Sequence, residues 1–152
     1  MNTWFECKIR FIRQMENGMM KKVTETYLVD ALSHAEAEER IIEEMTPFAT
    51  VEFTVISVKK ANYSELFFCP RDLKDRYWYK CKMAFVTIDE KTGVEKRTPT
   101  NVLVESDDFR QAIRDLDEGM KGTMADYIIL SAAETPIMDV YKYDSKDGEQ
   151  WK

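Results

Sequence analysis

The chain has 152 residues, 44% of them hydrophobic, which is enough for the core of one ordinary domain or two very small ones. Lys and Arg number 22 against 28 Asp and Glu, and the net charge of -6 argues against a protein that coats duplex DNA. The single histidine weakens catalytic-triad and zinc-site interpretations. No apolar run approaches the roughly 20 residues of a membrane span. Three cysteines, an odd number, and the absence of a signal-peptide pattern predict a cytoplasmic protein.

The first predicted element is a half-buried strand, in which apolar side chains alternate with polar ones. Its inward side chains are Phe5, Cys7, Ile9 and Phe11. Asn17-Gly18 then predicts a tight hairpin turn and a return strand. Ser33 with Glu36 forms a capping box, which predicts a helix that reaches Met45. β-branched and aromatic runs predict two further strands, at residues 51–58 and 63–68.

The same order of elements recurs in the second half of the chain. A shift of 74 or 75 residues superposes the two halves, so that residues 4–8 fall on residues 78–82. Asp108 and Gln111 begin the second helix as Ser33 and Glu36 begin the first. Each half therefore predicts a ββαβ(β) repeat.

Each repeat is small and has a sheet face to cover, which favours a shared body over two independent domains. We predict an α+β fold in which two tandem ββαβ(β) repeats pack as one pseudo-twofold domain of antiparallel sheet with two helices. The predicted segments are a single domain over residues 1–143, with repeat one at 4–68, a linker at 69–77 and repeat two at 78–143, and a flexible tail at 144–152.

Aromatic and basic side chains share the outward face of the first strand in each repeat. They are Trp4, Lys8 and Arg10 in repeat one, and Trp78, Lys80 and Lys82 in repeat two. Tryptophan beside cations is an arrangement that stacks single-stranded bases and meets their phosphates. In the alternative interpretation, each tryptophan anchors the end of a strand and the lysines are ordinary solvated residues.

Other patterns have structural explanations. The four-residue loop Gly119-Met120-Lys121-Gly122 matches the glycine loop of KH domains, but the end of a helix also explains it. Cys7 and Cys81 are predicted to be buried hydrophobes, and Cys69 has no nearby cysteine with which to form a zinc site. His34 takes the position of Phe109 in the other repeat, which indicates packing.

These patterns predict no catalytic residue, no metal site and no cofactor, and therefore a protein that is not an enzyme. We expect a non-catalytic binding protein whose partner is single-stranded nucleic acid. The alternative is a protein interaction or assembly module that has no contact with nucleic acid. A membrane partner is not expected.

Six segments carry a resemblance to a known family. They are WFECK at residues 4–8, MENG at 15–18, YLVDA at 27–31, ANYSE at 61–65, DEGMKGTMADY at 117–127 and ETPIMDVY at 134–141. These segments resemble an uncharacterised family, a domain of unknown function from chromosomes of gut Bacteroidales, their prophages and related phages. The resemblance covers nearly the whole chain without the tail. It implies a cytoplasmic protein of a phage or mobile element, and it implies no activity.

Overall fold

The computed structural model describes residues 3–48 and 52–142, so the predicted tail at 144–152 lies outside the described residues. The fold is α+β, with eight strands in two sheets and two helices within the described part of the chain. The chain divides into two compact units. Unit 1 holds the described residues through Asn62 and those from Pro136 onward, and unit 2 is Tyr63–Thr135. The prediction of one domain over residues 1–143 stays a prediction.

The elements follow the predicted order in both halves of the chain. They are β1 (Thr3–Gln14), β2 (Met20–Ala31), α1 (His34–Met45), a one-turn 3-10 helix (Thr46–Phe48), β3 (Phe53–Ala61), β4 (Glu65–Phe67), β5 (Tyr77–Ile88), β6 (Glu95–Ser106), α2 (Phe109–Met120), β7 (Tyr127–Glu134) and β8 (Ile137–Tyr141). In the described residues, neither helix is long and apolar enough to cross a membrane.

Unit 1 is a four-stranded sheet in the order β3-β1-β2-β8, with α1 packed against one face. The predicted inward side chains of β1 enter this core, with Phe11 at its edge. Gly18 has the positive φ of 83° that the hairpin turn requires. The hydroxyl of Ser33 accepts a hydrogen bond from the backbone N–H of Glu36 at 3.1 Å, which confirms the predicted start of α1.

Unit 2 repeats this plan, with strand order β4-β6-β5-β7 and α2 packed on one face. Asp108 begins α2, because its Oδ1 accepts hydrogen bonds from the backbone N–H of Arg110 and of Gln111, at 2.8 and 3.2 Å. Both sheets have a bulge at the same place. Register shifts occur at Lys8/Ile9 and at Lys82/Met83, where the third strand of each repeat has an extra residue.

The last short strand of each repeat lies in the sheet of the other repeat. β4 comes from the first repeat and pairs in parallel with β6, and β8 comes from the second repeat and pairs in parallel with β2. This exchange explains why the boundaries of the two units differ from those of the predicted repeats. It also adds one parallel pair to each otherwise antiparallel sheet.

Candidate binding site

The candidate nucleic-acid residues of repeat one lie on β1. Trp4 and Lys8 are half-buried, and Arg10 is exposed. Side chains alternate along a strand, so these three lie on the face opposite to the core residue Phe5. Of the three, Arg10 is therefore the most accessible to a partner.

The candidate residues of repeat two lie on β5. Lys80 and Lys82 are exposed, but Trp78 is only 1% exposed. The Trp78 ring meets Phe68 edge-on, with the ring centroids 5.4 Å apart, and its backbone carbonyl oxygen accepts hydrogen bonds from the N–H and the hydroxyl of Thr135. A ring without an accessible face does not stack on a base. The stacking role predicted for Trp78 is therefore corrected to that of a buried anchor in unit 2.

A pocket of about 420 Å³ opens in unit 1, where the hairpin of β1 and β2 continues beyond the buried core. Its size is within the range of small-ligand sites. Most of its lining is apolar or aromatic: Ile9, Phe11, Ile12, Tyr27, Met45, Phe48 and Phe53. Three polar side chains complete it: Arg13, Gln14 and Glu25.

Strand register and the end of α1 position the aromatic lining of this pocket. Phe11 lies opposite Phe53 in the pairing of β1 with β3. Met45 ends α1, and the 3-10 turn that follows presents Phe48, whose side chain is 73% exposed. An exposed aromatic ring at the edge of an apolar pocket is typical of surfaces that bind ligands.

A hydrogen-bonded pair of polar residues lies in the pocket wall. The Tyr27 hydroxyl donates to Oε1 of Glu25 at 2.9 Å, and the Tyr27 ring stacks on Tyr141 with a centroid distance of 5.9 Å. Burial, together with the hydrogen bond to Glu25, raises the pKa of Tyr27 above its ordinary value. The hydroxyl therefore keeps its proton at neutral pH and remains a donor to Glu25.

The mouth of the pocket is positively charged. The guanidinium carbon of Arg13 lies 5.6 Å from the centroid of the Phe11 ring, and Arg13 is directly opposite Lys21 in the strand register. Like charges in this position repel each other, so an anion bound between them is favoured. Of the five cations in residues 8–24, Arg13 and Lys21 lie on the face of the pocket, whereas Lys8, Arg10 and Lys22 lie on the opposite face.

Repeat two has different residues at the equivalent positions. The repeat shift places Thr87, Thr100 and Val102 where repeat one has Arg13, Glu25 and Tyr27. The second hairpin is also nearly balanced in charge, with four cations and three acids over residues 82–99. The polar pair and the positive mouth are therefore properties of repeat one.

The cysteines and the histidine have the structural positions that the sequence predicts. Cys7 and Cys81 lie in the two cores, where burial raises their pKa values to about 12 and about 11. The His34 ring meets Phe5 edge-on at 4.8 Å. Among the described residues there is no group of three or more His, Cys, Asp or Glu side chains that could hold a metal ion. That the protein needs no cofactor stays a prediction.

The sequence did not predict the pocket, because the predicted binding residues of repeat one lie on the outward face of β1. The pocket uses the inward face of the same hairpin, beyond the point where the helix covers it. One signal was present in the sequence, since Glu25 takes an inward position two residues before Tyr27 in a strand whose neighbouring inward residues are apolar.

Comparison with known proteins gives one family. No curated protein matches the chain. A family model described as a domain of unknown function, DUF4494, matches residues 3–143, a range that includes all the described strands and helices. The chain therefore belongs to the DUF4494 family.

Proposed function

We propose that this protein is a non-catalytic binding protein whose partner is single-stranded nucleic acid. The proposal depends chiefly on one observation, the aromatic pocket of unit 1 with Arg13 in its lining and Lys21 opposite Arg13 in the strand register. Proteins that bind single strands combine aromatic rings, on which bases stack, with cations that meet the phosphates. The net charge of -6 does not oppose such a local site, because charge acts over about 10 Å in salt.

In this proposal, one base of the nucleic acid enters the pocket, and its sugar-phosphate backbone crosses the mouth of the pocket. Phe11, Phe48 and Phe53 supply the aromatic surface for the base. Arg13 and Lys21, which lie on the same face of the sheet as the pocket, meet a phosphate. Trp4, Lys8 and Arg10 lie on the other face of β1 and form a separate candidate surface.

Lys80 and Lys82 form a second, smaller candidate surface on unit 2. Both are exposed and lie on the same face of β5, beside the buried Trp78. They lack an aromatic partner of the kind that unit 1 offers. We therefore assign them a supporting electrostatic role at most.

The low reactivity of the buried cysteines supports the proposal that the protein is not an enzyme. A thiol with its pKa raised to about 12, as in Cys7, is almost wholly protonated at neutral pH and is a poor nucleophile. The Cys81 thiol is also almost wholly protonated at neutral pH, because burial raises its pKa to about 11. The His34 ring packs edge-on against Phe5, which is a structural role.

We also propose a cytoplasmic location and a phage or mobile-element context. The resemblance noted from the sequence supports the context, and the three free cysteines support a reducing compartment.

Fluorescence anisotropy with labelled single-stranded oligonucleotides tests the proposed function. We expect binding at low salt that weakens as salt rises, and that is lost in Arg13→Glu/Lys21→Glu. The matched control is Lys91→Glu/Lys96→Glu on the second hairpin, where the same change in net charge is expected to leave most of the affinity. No binding by the unmodified protein at tens of micromolar, on the order of non-specific affinities, would remove the proposal. Equal losses in the two variants would show that the pocket is not the site.

A second candidate function is a protein interaction module. The tip of the first hairpin exposes Met15, Met19 and Met20, at 39, 66 and 63% of their surface. Methionine is frequent on surfaces that bind varied protein partners, because its side chain is flexible and polarisable. A partner from the natural host that binds the unmodified protein but not Met19→Ser/Met20→Ser, together with no affinity for oligonucleotides, would favour this function.

A further inference from the structure

The pocket wall contains two hydrogen-bond acceptors side by side. The Tyr27 hydroxyl uses its one hydrogen on Oε1 of Glu25, so that its own oxygen is left as an acceptor. The carboxylate of Glu25 has no hydrogen and accepts only. A group that contacts this pair must therefore donate hydrogen bonds.

The bases differ in how many donors they can bring to two adjacent acceptors. Adenine, cytosine and guanine each have an exocyclic amino group with two N–H donors. Thymine and uracil have a single ring N–H that lies between two carbonyl oxygens, so one acceptor of the pair receives a donor and the other faces a carbonyl oxygen. Desolvating an acceptor without a partner is unfavourable, and repulsion from the carboxylate adds to this effect.

We propose that Glu25 and Tyr27 select bases with an exocyclic amino group over thymine and uracil at the unit 1 pocket. The inference rests on the proposed function, because it requires a base in the pocket. The positive mouth serves every sequence equally, since phosphates are common to all of them. The polar pair in the wall supplies the discrimination.

The two repeats supply an internal comparison. The positions equivalent to Glu25 and Tyr27 are Thr100 and Val102, and these side chains do not form an acceptor pair of this kind. Discrimination between bases is thus expected from repeat one, and changes at the second hairpin should not alter it.

The experiment compares oligodeoxycytidine with oligodeoxyuridine of equal length, at neutral pH and constant salt. These probes differ in the exocyclic amino group and the adjacent ring-nitrogen proton, and their backbones are identical. We expect the full chain to bind the cytidine probe about tenfold more tightly, which is within the discrimination of one good base contact. Glu25→Gln should bring the ratio of affinities close to one, because an amide can donate to the uracil carbonyl as well as accept.

Two variants keep this result interpretable. Tyr27→Phe keeps the ring that stacks on Tyr141 and removes the hydroxyl, so it should reduce the ratio while the chain remains folded by circular dichroism. Glu95→Gln, at an exposed position of β6, makes the same change in charge away from the pocket and should leave the ratio unchanged.

The outcomes separate the inference from the proposed function. Equal affinity of the unmodified chain for both probes would overturn the selection by Glu25 and Tyr27, while nucleic-acid binding would stand. A cytidine preference that persists in Glu25→Gln and in Tyr27→Phe would overturn the assignment to these residues. Binding to neither probe would remove the proposed function and the inference together.

Discussion

Arg71 and Asp115 are joined at two points, with Nη1 2.8 Å from Oδ1 and Nη2 3.0 Å from Oδ2. The Asp115 carboxylate also accepts hydrogen bonds from the hydroxyl of Ser106 and the amide of Gln111, at 2.8 and 2.9 Å. Arg71 belongs to the segment between β4 and β5, and Asp115 to α2. This contact fixes the predicted linker against the helix of unit 2.

Because of this ion pair, we expect the stability of the folded protein to fall as the pH becomes acidic. The Arg71 guanidinium and its companion donors hold the pKa of Asp115 at about 2, below the value of about 4 for an unfolded aspartate. Because the folded pKa is the lower one, the contribution is full above about pH 4 and disappears as the pH falls towards 2. We expect Asp115→Asn to lower the melting temperature by several degrees at neutral pH, and the difference from the unmodified protein to vanish near pH 2.

The control for this measurement is Glu118→Gln in the same helix. Glu118 pairs with Lys121 at 2.8 Å, but both side chains are at least 70% exposed, so this pair should contribute almost nothing. If Asp115→Asn melted like Glu118→Gln at neutral pH, the network around Asp115 would have no role in stability.

For a substitution at Gly119, we expect packing to outweigh helix propensity. A Cβ atom at this position would lie 2.7 and 2.8 Å from Cδ1 and Cε1 of Phe67. Alanine is better than glycine in a helix by about 1 kcal/mol, whereas forcing an extra carbon into a packed site costs about 1–3 kcal/mol. We expect Gly119→Ala to lower the free energy of unfolding, as measured by denaturant titration.

A double-mutant cycle gives the control for Gly119. In a Phe67→Ala background the close contact is absent, so the same Gly119→Ala change should be stabilising by about 1 kcal/mol. An effect of the same sign in both backgrounds would contradict the steric explanation.

The burial of Trp78 predicts its fluorescence. The indole at 1% exposure should emit at short wavelength and resist quenching by acrylamide. Trp78→Phe should therefore remove the blue-shifted, protected part of the emission of the folded protein. Trp4→Phe is the matched control, since Trp4 is half-buried and its loss should leave the protected emission in place. Easy quenching of all the emission would show that Trp78 is accessible.

The three cysteines should differ in reactivity. Cys7 and Cys81 are fully buried and their pKa values are raised to about 12 and about 11, so little thiolate exists at neutral pH. Cys69 is half-buried, in the segment before β5. We expect a thiol reagent such as DTNB to modify one cysteine rapidly in the folded protein and all three in denaturant. Cys69→Ser should abolish the rapid reaction, and equal rates for the three thiols would contradict the buried positions.

Local patterns in the sequence predicted the secondary structure well, because caps, turns and alternation act over a few residues. Ser33, Gly18 and Asp108 each do in the structure what their residue type and position predict. The pairing of the short strands was not predictable in this way. β4 has 3 residues and β8 has 5, and alternation over so short a span does not indicate which edge a strand will join.

The candidate site was predicted only in part. Alternation placed Lys80 and Lys82 outward, yet Trp78 on the same face is buried and has Phe68 in edge-on contact with its ring. The pocket depends on how far the first hairpin extends beyond α1, and the sequence does not give that distance. Phe48 joins the lining through the 3-10 turn after α1, and the sequence patterns did not predict this turn.

Because β4 and β8 each lie in the sheet of the other repeat, a chain cut between β4 and β5 should stay associated. A cut in the exposed segment between β4 and β5 would produce two fragments, each of which contributes one strand to a sheet made mostly from the other. The fragments would remain joined through backbone hydrogen bonds of two parallel ladders rather than through a peptide bond. A single repeat alone would leave one strand position in its sheet vacant, and a second copy of the same repeat would be the natural donor. The connectivity of the chain is thus that of two strand-exchanged repeats joined in one polypeptide.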